Sequence, residues 1–377
     1  MSIVSPTLSD YDGNVKEKKA IADAEKKDSR RSSIARKAGN LMKSAIYLGK
    51  EHIEIQEVPI PHCTGQDVVI RNLYSSICGT DVAVYMHGPE TGHKVTIGGE
   101  FGHETVSVIS EVGANVTGFH VGDRVYPYPR YAKNDTRRAG TLGGFSEYIH
   151  IPEARLNHSL YLVPDEISDR LACLIEPFTV GCRAARRSAP KSGEKAMVFG
   201  AGTIGIAAAV ALKYFGVDKV MICDLSDFRL DIVSRLGFAV CNTQKEDWAK
   251  KAQDYFGTAP SLSGSTADID IMIDAAGAQT ILELFMKAGK IESRFVSVAV
   301  NNALRQVDLL HMTYSQKSII GSGGYMPEDV RDVMDIMKSG KWNLESIITH
   351  EYSICELEEA IKTASDTTRA LNVVIKF

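Results

Sequence analysis

The sequence predicts an α/β protein: a β-rich first half, then a parallel sheet wound with helices. Three observations predict it. Short β-like runs broken by glycine, proline and aspartate fill residues 44–128. Beyond Pro190, apolar strand-like runs alternate with helix-like stretches, the pattern of βαβ units. The first of those strand–helix junctions reads Gly200-Ala201-Gly202-Thr203-Ile204-Gly205. The length, 377 residues, allows two or three compact units, and 44% hydrophobic with 24% charged residues excludes disordered and fibrous classes.

In chain order, Ser44–Leu48, Ile53–Val58 and Val68–Ser75 read as strands, followed by Thr105–Val112 and Arg124–Tyr128 among closely spaced glycines. Ala196–Phe199 is a buried-strand run, and a helix-like stretch follows to Phe215. Lys219–Cys223 is the next strand, and Asp227–Leu236 a helix with Ser226 as its N-cap. Ile269–Asp274, Thr280–Ala288 and Phe295–Val300 continue the alternation. Helices around Asp329–Lys338 and Leu357–Ala364 and a strand at Asn372–Phe377 close the chain.

Residues 1–41 stand apart. They hold nine Lys/Arg against six Asp/Glu, few large apolar side chains and no helical stripe, which predicts a solvated arm or one that packs on a partner. The whole chain carries a formal charge of −4, without the basic field that general nucleic-acid binding needs. The longest apolar run, Ala201–Leu212, is too short to span a bilayer, and no signal-peptide pattern opens the chain. Seven scattered cysteines do not form a disulfide framework. The expectation is a reduced, cytoplasmic protein without membrane or nucleic-acid partners.

The glycine string matches G-x-G-x-x-G between an apolar strand and an alanine-rich helix, the context that gives it meaning. Gly200 makes the tight turn, and Gly202 lets the backbone approach a pyrophosphate. Gly205 permits close helix–strand packing, while Thr203 and Ile204 open the helix whose N-terminus faces the anion. Asp224 ends the next strand, where a carboxylate binds adenosine-ribose hydroxyls and repels a 2′-phosphate. This predicts NAD over NADP, with Arg229 one turn on as the opposing signal. The plain alternative is a glycine-rich turn with a capping aspartate.

Cys78-Gly79-Thr80-Asp81 and Gly102-His103-Glu104 form a second cluster. Thiolate, imidazole and carboxylate are the ligand types of zinc, and a catalytic site uses three of them plus an exchangeable water. Glu176, within Ile175-Glu176-Pro177, is a carboxylate in an apolar stretch and needs a cation or hydrogen-bond partner if buried. On spacing alone the metal signal is modest, and a core cysteine with a structural histidine is the more ordinary reading.

From Met42 to Phe377 the chain resembles the zinc-dependent medium-chain dehydrogenases/reductases of the alcohol dehydrogenase superfamily, on their sorbitol, polyol and threonine branch. The strings that carry the resemblance open with Met42-Lys43-Ser44-Ala45 and the two metal motifs. Gly122-Asp123-Arg124-Val125, Gly144-Phe145-Ser146-Glu147-Tyr148, Glu176-Pro177 and the glycine fingerprint follow in the family's order. The resemblance implies a GroES-like β catalytic domain over 42–178 and 320–377, with a Rossmann NAD-binding domain, 179–319, inserted. It implies one catalytic zinc on Cys78 and His103, with Glu104 or Glu176 as the third protein ligand and the other holding the metal's water or substrate. Thr80 falls where the family relays the substrate proton, Asp81 where a carboxylate supports the site, and Ala275 where a strand end borders the nicotinamide.

The departures are informative. Tyr126–Tyr148 contains no cysteine, so no structural zinc is expected, and Ala83 replaces a histidine common in polyol members. Arg130, Lys133, Arg137 and Arg138 make this loop basic, either a solvated surface or one facing an anionic substrate or partner. His87 and His93 are candidates for the substrate mouth. The implied activity is hydride transfer between NAD(H) and a secondary alcohol or ketone of a polyol, sugar acid or similar small molecule. A threonine- or amino-alcohol-type dehydrogenase is the alternative, and a catalytically silent dinucleotide-binding protein the alternative of another class. A homodimer or homotetramer paired through the nucleotide-domain sheet is expected, with Phe295–Val300 as its edge.

Overall fold

The computed structural model describes residues 41–133, 139–301 and 303–377; the charged arm of residues 1–40, with Arg137 and Arg138, lies outside them. The apolar runs of the second half become a six-stranded sheet. In spatial order its strands are Ala239–Asn242, Lys219–Asp224, Lys195–Phe199, Ile271–Asp274, Arg294–Ser297 and Ser318–Gly321, every pair parallel. Ala196, Met197, Val198 and Phe199 are all buried, as the middle of a sheet covered on both faces requires. Strand order reverses beside Lys195–Phe199, and the crevice at that switch point is where open α/β sheets bind ligands.

Phe295–Val300 is not the sheet edge expected of it. Its strand, Arg294–Ser297, pairs on one side with Ile271–Asp274 and on the other with Ser318–Gly321. Phe295 and Val296 are buried, which an interior strand needs, whereas Ser318 and Ile319 of the true edge are exposed.

The second large sheet takes its strands from both ends of the described chain. Ile348–Ser353, Asn372–Lys376, Val68–Ser76, Glu104–Val112, Arg124–Pro127 and Leu160–Leu162 lie in that order, and Tyr148–Ile151 also pairs with Val68–Ser76. Only the first pair is parallel. A smaller sheet joins His52–Pro59, Leu41–Gly49 and Gly99–Glu100, and a hairpin absent from the sequence reading joins Thr258–Ser261 to Gly264–Ala267.

Helix Ile175–Arg187 bridges the two sheets. Its first turn carries Glu176, while Phe178, Cys182, Ala184 and Ala185 pack in one core with helix Thr203–Tyr214. Burying a side chain the size of Phe178 contributes roughly 1.5–3 kcal/mol. The far end is pinned to helix Pro327–Lys338, where Arg186 Nε donates to Asp329 Oδ1 at 2.6 Å. Among the described residues no helix is long and apolar enough to cross a membrane.

Candidate active site and metal centre

Strand Val68–Ser76 delivers Cys78 as the N-cap of helix Gly79–His87. Asp81, in the first turn, accepts the Cys78 N–H on Oδ2 at 3.0 Å, where a negative charge also suits the helix dipole. Asp81 Oδ1 lies 3.6 Å from His103 Nδ1, both side chains being buried. The carboxylate thus faces one ring nitrogen and leaves Nε2 as the one available to a metal.

His103 is placed by a tight backbone. Gly102 has φ of +85°, and a Cβ there would fall 2.6 Å from the Phe145 ring. The chain turns beneath Phe145 and enters strand Glu104–Val112. One ligand-type atom from each of Cys78, His103 and Glu104 lies within 4.8 Å of the others. Small side-chain rotations bring such a trio onto zinc, with bonds of about 2.0–2.3 Å.

The electrostatics point the same way. Burial pushes the Cys78 thiol up to about 12, and the Glu104 charge adds to the effect. Burial raises Glu104 to about 7, with Glu176 contributing, and burial raises Glu176 as well. Burial opposes charge on His103, but Asp81 and Cys78 outweigh it and the imidazole is shifted upward. A thiol and two carboxyls are held together against their own repulsion, and a divalent cation is the counter-charge that set lacks. The donors fit zinc.

Glu176 stands outside the compact trio, only 7% exposed, and lines the same cavity as Tyr325, whose hydroxyl opposes the upward shift of the carboxyl. Tyr325 shares a 2.5 Å hydroxyl contact with Tyr126, and Tyr128 donates to the Tyr325 carbonyl at 2.6 Å. Among the described residues, Thr80 Oγ1 and Ser322 Oγ are buried and make no hydrogen bond. All but Tyr126 open on one cavity of about 740 Å³, whose opposite wall includes Ile204, Ala275 and Val298. His93 lines it too, 4.5 Å from the His103 ring and pushed down to about 4 by burial, whereas His87 is exposed and outside the wall. Ala83 occupies the wall where the resemblance leads one to expect a histidine.

On the dinucleotide side, Gly202 caps helix Thr203–Tyr214 with extended backbone. A Cβ on Gly205 would lie 1.9 Å from the Gly200 carbonyl oxygen, so this position admits only glycine. Ala275 backs the same turn, close behind Gly200. Asp224 Oδ2 accepts the Ala201 N–H at 2.6 Å, and Oδ1 accepts Leu225 N–H and Ser226 N–H at 2.8 and 2.9 Å. The carboxylate therefore fastens the glycine turn to the end of the second strand. Ser226 caps the next helix as expected, and Arg229 from its first turn donates twice to the Ala370 carbonyl, at 3.1 and 3.0 Å. Thr203 Oγ1 accepts from Asn372 Nδ2 at 3.2 Å, and the same amide donates to Ser76 Oγ at 2.9 Å. Ser76 in turn is the cross-strand partner of Glu104.

Tyr325, Ser322 and Asn372 carry no motif and escaped the sequence reading. The one available signal was the Gly321-Ser322-Gly323-Gly324 run after the last parallel strand.

A turn shaped for pyrophosphate and a thiol–imidazole–carboxylate trio beside one cavity define a metal-assisted dinucleotide oxidoreductase. Residues 64–165 match the family model described as the alcohol dehydrogenase GroES-like domain, and residues 203–339 that of the zinc-binding dehydrogenases. L-threonine 3-dehydrogenase of Marinomonas sp. (strain MWYL1) is 29% identical over 340 residues, 84% of this chain and 95% of the relative. (R,R)-butanediol dehydrogenase of Bacillus subtilis (strain 168) is 28% identical over 347 residues, 84% and 94% of the two chains. The crystal structure of 2R,3R-butanediol dehydrogenase from Bacillus subtilis superposes with a TM-score of 0.77 at 25% identity, covering 89% of this chain and 99% of that one. The chain belongs to the zinc-dependent medium-chain dehydrogenases, on their polyol and threonine branch. It is an alcohol-oxidising enzyme that works with zinc and a nicotinamide coenzyme.

Proposed function

We propose that the protein oxidises a secondary carbinol of a small hydroxylated molecule with NAD, and reduces the ketone with NADH. The observation that carries this is the single cavity into which the donor trio and the switch-point end of the parallel sheet both open. Cys78, His103 and Glu104 hold one zinc, the compactness of the trio favouring Glu104 over Glu176 as the direct ligand. Glu176, in the cavity wall with Tyr325, faces the substrate oxygen from the next position. When bound, zinc supplies a Lewis acid for that oxygen and the nicotinamide supplies the hydride acceptor. Thr80, whose unpartnered Oγ1 lines the cavity, relays the hydroxyl proton, accepting it as it gives up its own to water in the cavity mouth. Ile204, Ala275 and Val298 supply an apolar wall for the reactive ring and keep water from it.

NAD is favoured because Asp224 ends the second strand beside the glycine turn, where a carboxylate repels a 2′-phosphate, while the Arg229 guanidinium is engaged by the Ala370 carbonyl. Polyol and amino-alcohol substrates both have support, from relatives named L-threonine 3-dehydrogenase and probable D-xylulose reductase A of Aspergillus clavatus, 26% identical over 337 residues. The proposed catalytic unit is 42–178 with 320–377, around a coenzyme unit of 179–319. Its support is that the antiparallel sheet draws strands from 68–162 and 348–376 and the parallel sheet from 195–321. Copies pair along the open edge Ser318–Gly321, beside the exposed Leu309, Leu310 and Tyr314; light scattering measures the mass. Seven free thiols suit the cytoplasm, which cell fractionation tests.

Metal analysis with NADH formation from a panel of polyols, sugar acids and amino alcohols tests the function. About one zinc per chain and turnover of one class are expected. Cys78→Ser should lose zinc and turnover while still binding NAD. A metal-free protein that binds NAD and turns over nothing overturns the proposal.

A further inference from the structure

The cavity wall has one strong cation that neither the metal nor the coenzyme explains. Arg130 lines the cavity from helix Pro129–Ala132, directly after Tyr128 and Pro129 in the same wall. Its backbone is held on both sides. Tyr128 stacks on Tyr325 at 4.6 Å and donates to its carbonyl, and Tyr131 stacks on His158 at 4.3 Å. Pro129 at the first helical turn fixes the entry, and Ala132 is buried.

The side chain, by contrast, is exposed. Among the described residues its guanidinium makes no hydrogen bond or ion pair, and its one contact of note is the Tyr131 ring at 5.6 Å. Its neighbour Lys133 is different, being paired with Glu100 at 3.5 Å. The phosphate-binding glycine turn reaches the cavity only through Ile204, so the coenzyme's pyrophosphate does not account for Arg130. A guanidinium presents a planar fork of donors that matches carboxylate and phosphate oxygens, and it loses little freedom when its backbone is already fixed.

We propose that Arg130 receives an anionic group, carboxylate or phosphate, at the end of the substrate remote from the carbinol being oxidised. This rests on the oxidoreductase reading of the same cavity and narrows its substrate class to hydroxylated acids or phosphate esters. The metal end takes the reacting oxygen and Arg130 fixes the register, so the anchor selects which carbinol meets the nicotinamide.

The test uses the zinc-loaded full chain with three probes of one carbon skeleton: a neutral hexitol, the corresponding hexonate and the hexitol phosphate. NADH formation gives kcat/KM for each, and calorimetry gives the affinity for the hexonate and the phosphate without relying on turnover. One anionic probe should exceed the hexitol in kcat/KM by about tenfold or more, which also decides between carboxylate and phosphate. Arg130→Gln should reduce that ratio about tenfold, chiefly through KM, and Arg130→Lys should recover part of it. Added salt should weaken anion binding to the wild type more than to Arg130→Gln. A wild type that prefers the hexitol, or a variant that loses all three probes equally, overturns the proposal. NADH formation from the hexitol alone, at a rate the variant leaves unchanged, sinks Arg130 but keeps the dehydrogenase. Anions that bind the wild type and not Arg130→Gln, with no probe oxidised, would do the reverse.

Discussion

Asp81 joins two tasks in one carboxylate. One oxygen caps the helix behind Cys78, and the other faces His103 Nδ1 at 3.6 Å. Asp81→Asn keeps an acceptor for the Cys78 N–H but removes the charge behind the imidazole. Zinc affinity should fall ~10–100-fold, read by competition with a chromophoric chelator, and unchanged affinity would leave Asp81 as a helix cap alone. Cys78, His103 and Glu104 were legible because each stands in a compact motif with distinctive neighbours. The choice between Glu104 and Glu176 was not, since it turns on which carboxylate the fold swings toward the thiol. Tyr325 was beyond reach for a related reason: it meets Tyr126 across 199 positions of chain, and no local pattern encodes that meeting.

Among the elements, the glycine turn was the clearest in sequence, and it is the least tolerant of change. Gly205→Ala would press a methyl group against the Gly200 carbonyl, 1.9 Å from the new Cβ. The turn must open, so coenzyme affinity should collapse in a fluorescence titration with NADH, and the melting temperature should fall by several degrees, equivalent to about 2 kcal/mol or more. Near-normal affinity would show that the turn is not the pyrophosphate seat. Four of the six parallel strands were readable because buried strands leave unbroken apolar runs, whereas the two edge strands, Ala239–Asn242 and Ser318–Gly321, were not. Helix Ile175–Arg187 was missed because Pro177 reads as a breaker, although proline is tolerated in a first turn, where its N–H has no partner to lose. Phe295–Val300 was taken for an edge because the short, half-polar strand Ser318–Gly321 beyond it gives almost no periodic signal.

At the scale of the whole molecule, the chain leaves the antiparallel sheet, builds the parallel one and returns. Its returning strand brings Asn372 between Thr203 of the coenzyme turn and Ser76, which pairs across the sheet with Glu104. The family resemblance implied that the chain returns, but the contact it makes is fixed only by the packed assembly. Linkage through these groups is reciprocal, so NADH should slow the stripping of zinc by a chelator. Asn372→Leu, close in size but without the donors, should lose most of that protection while the zinc affinity of the coenzyme-free protein changes less. Equal protection in both proteins would show that the bridge transmits nothing. A bridge that transmits would give each ligand a stake in the retention of the other. Starved of its dinucleotide, such an enzyme would show the shortage first as a leak of its metal.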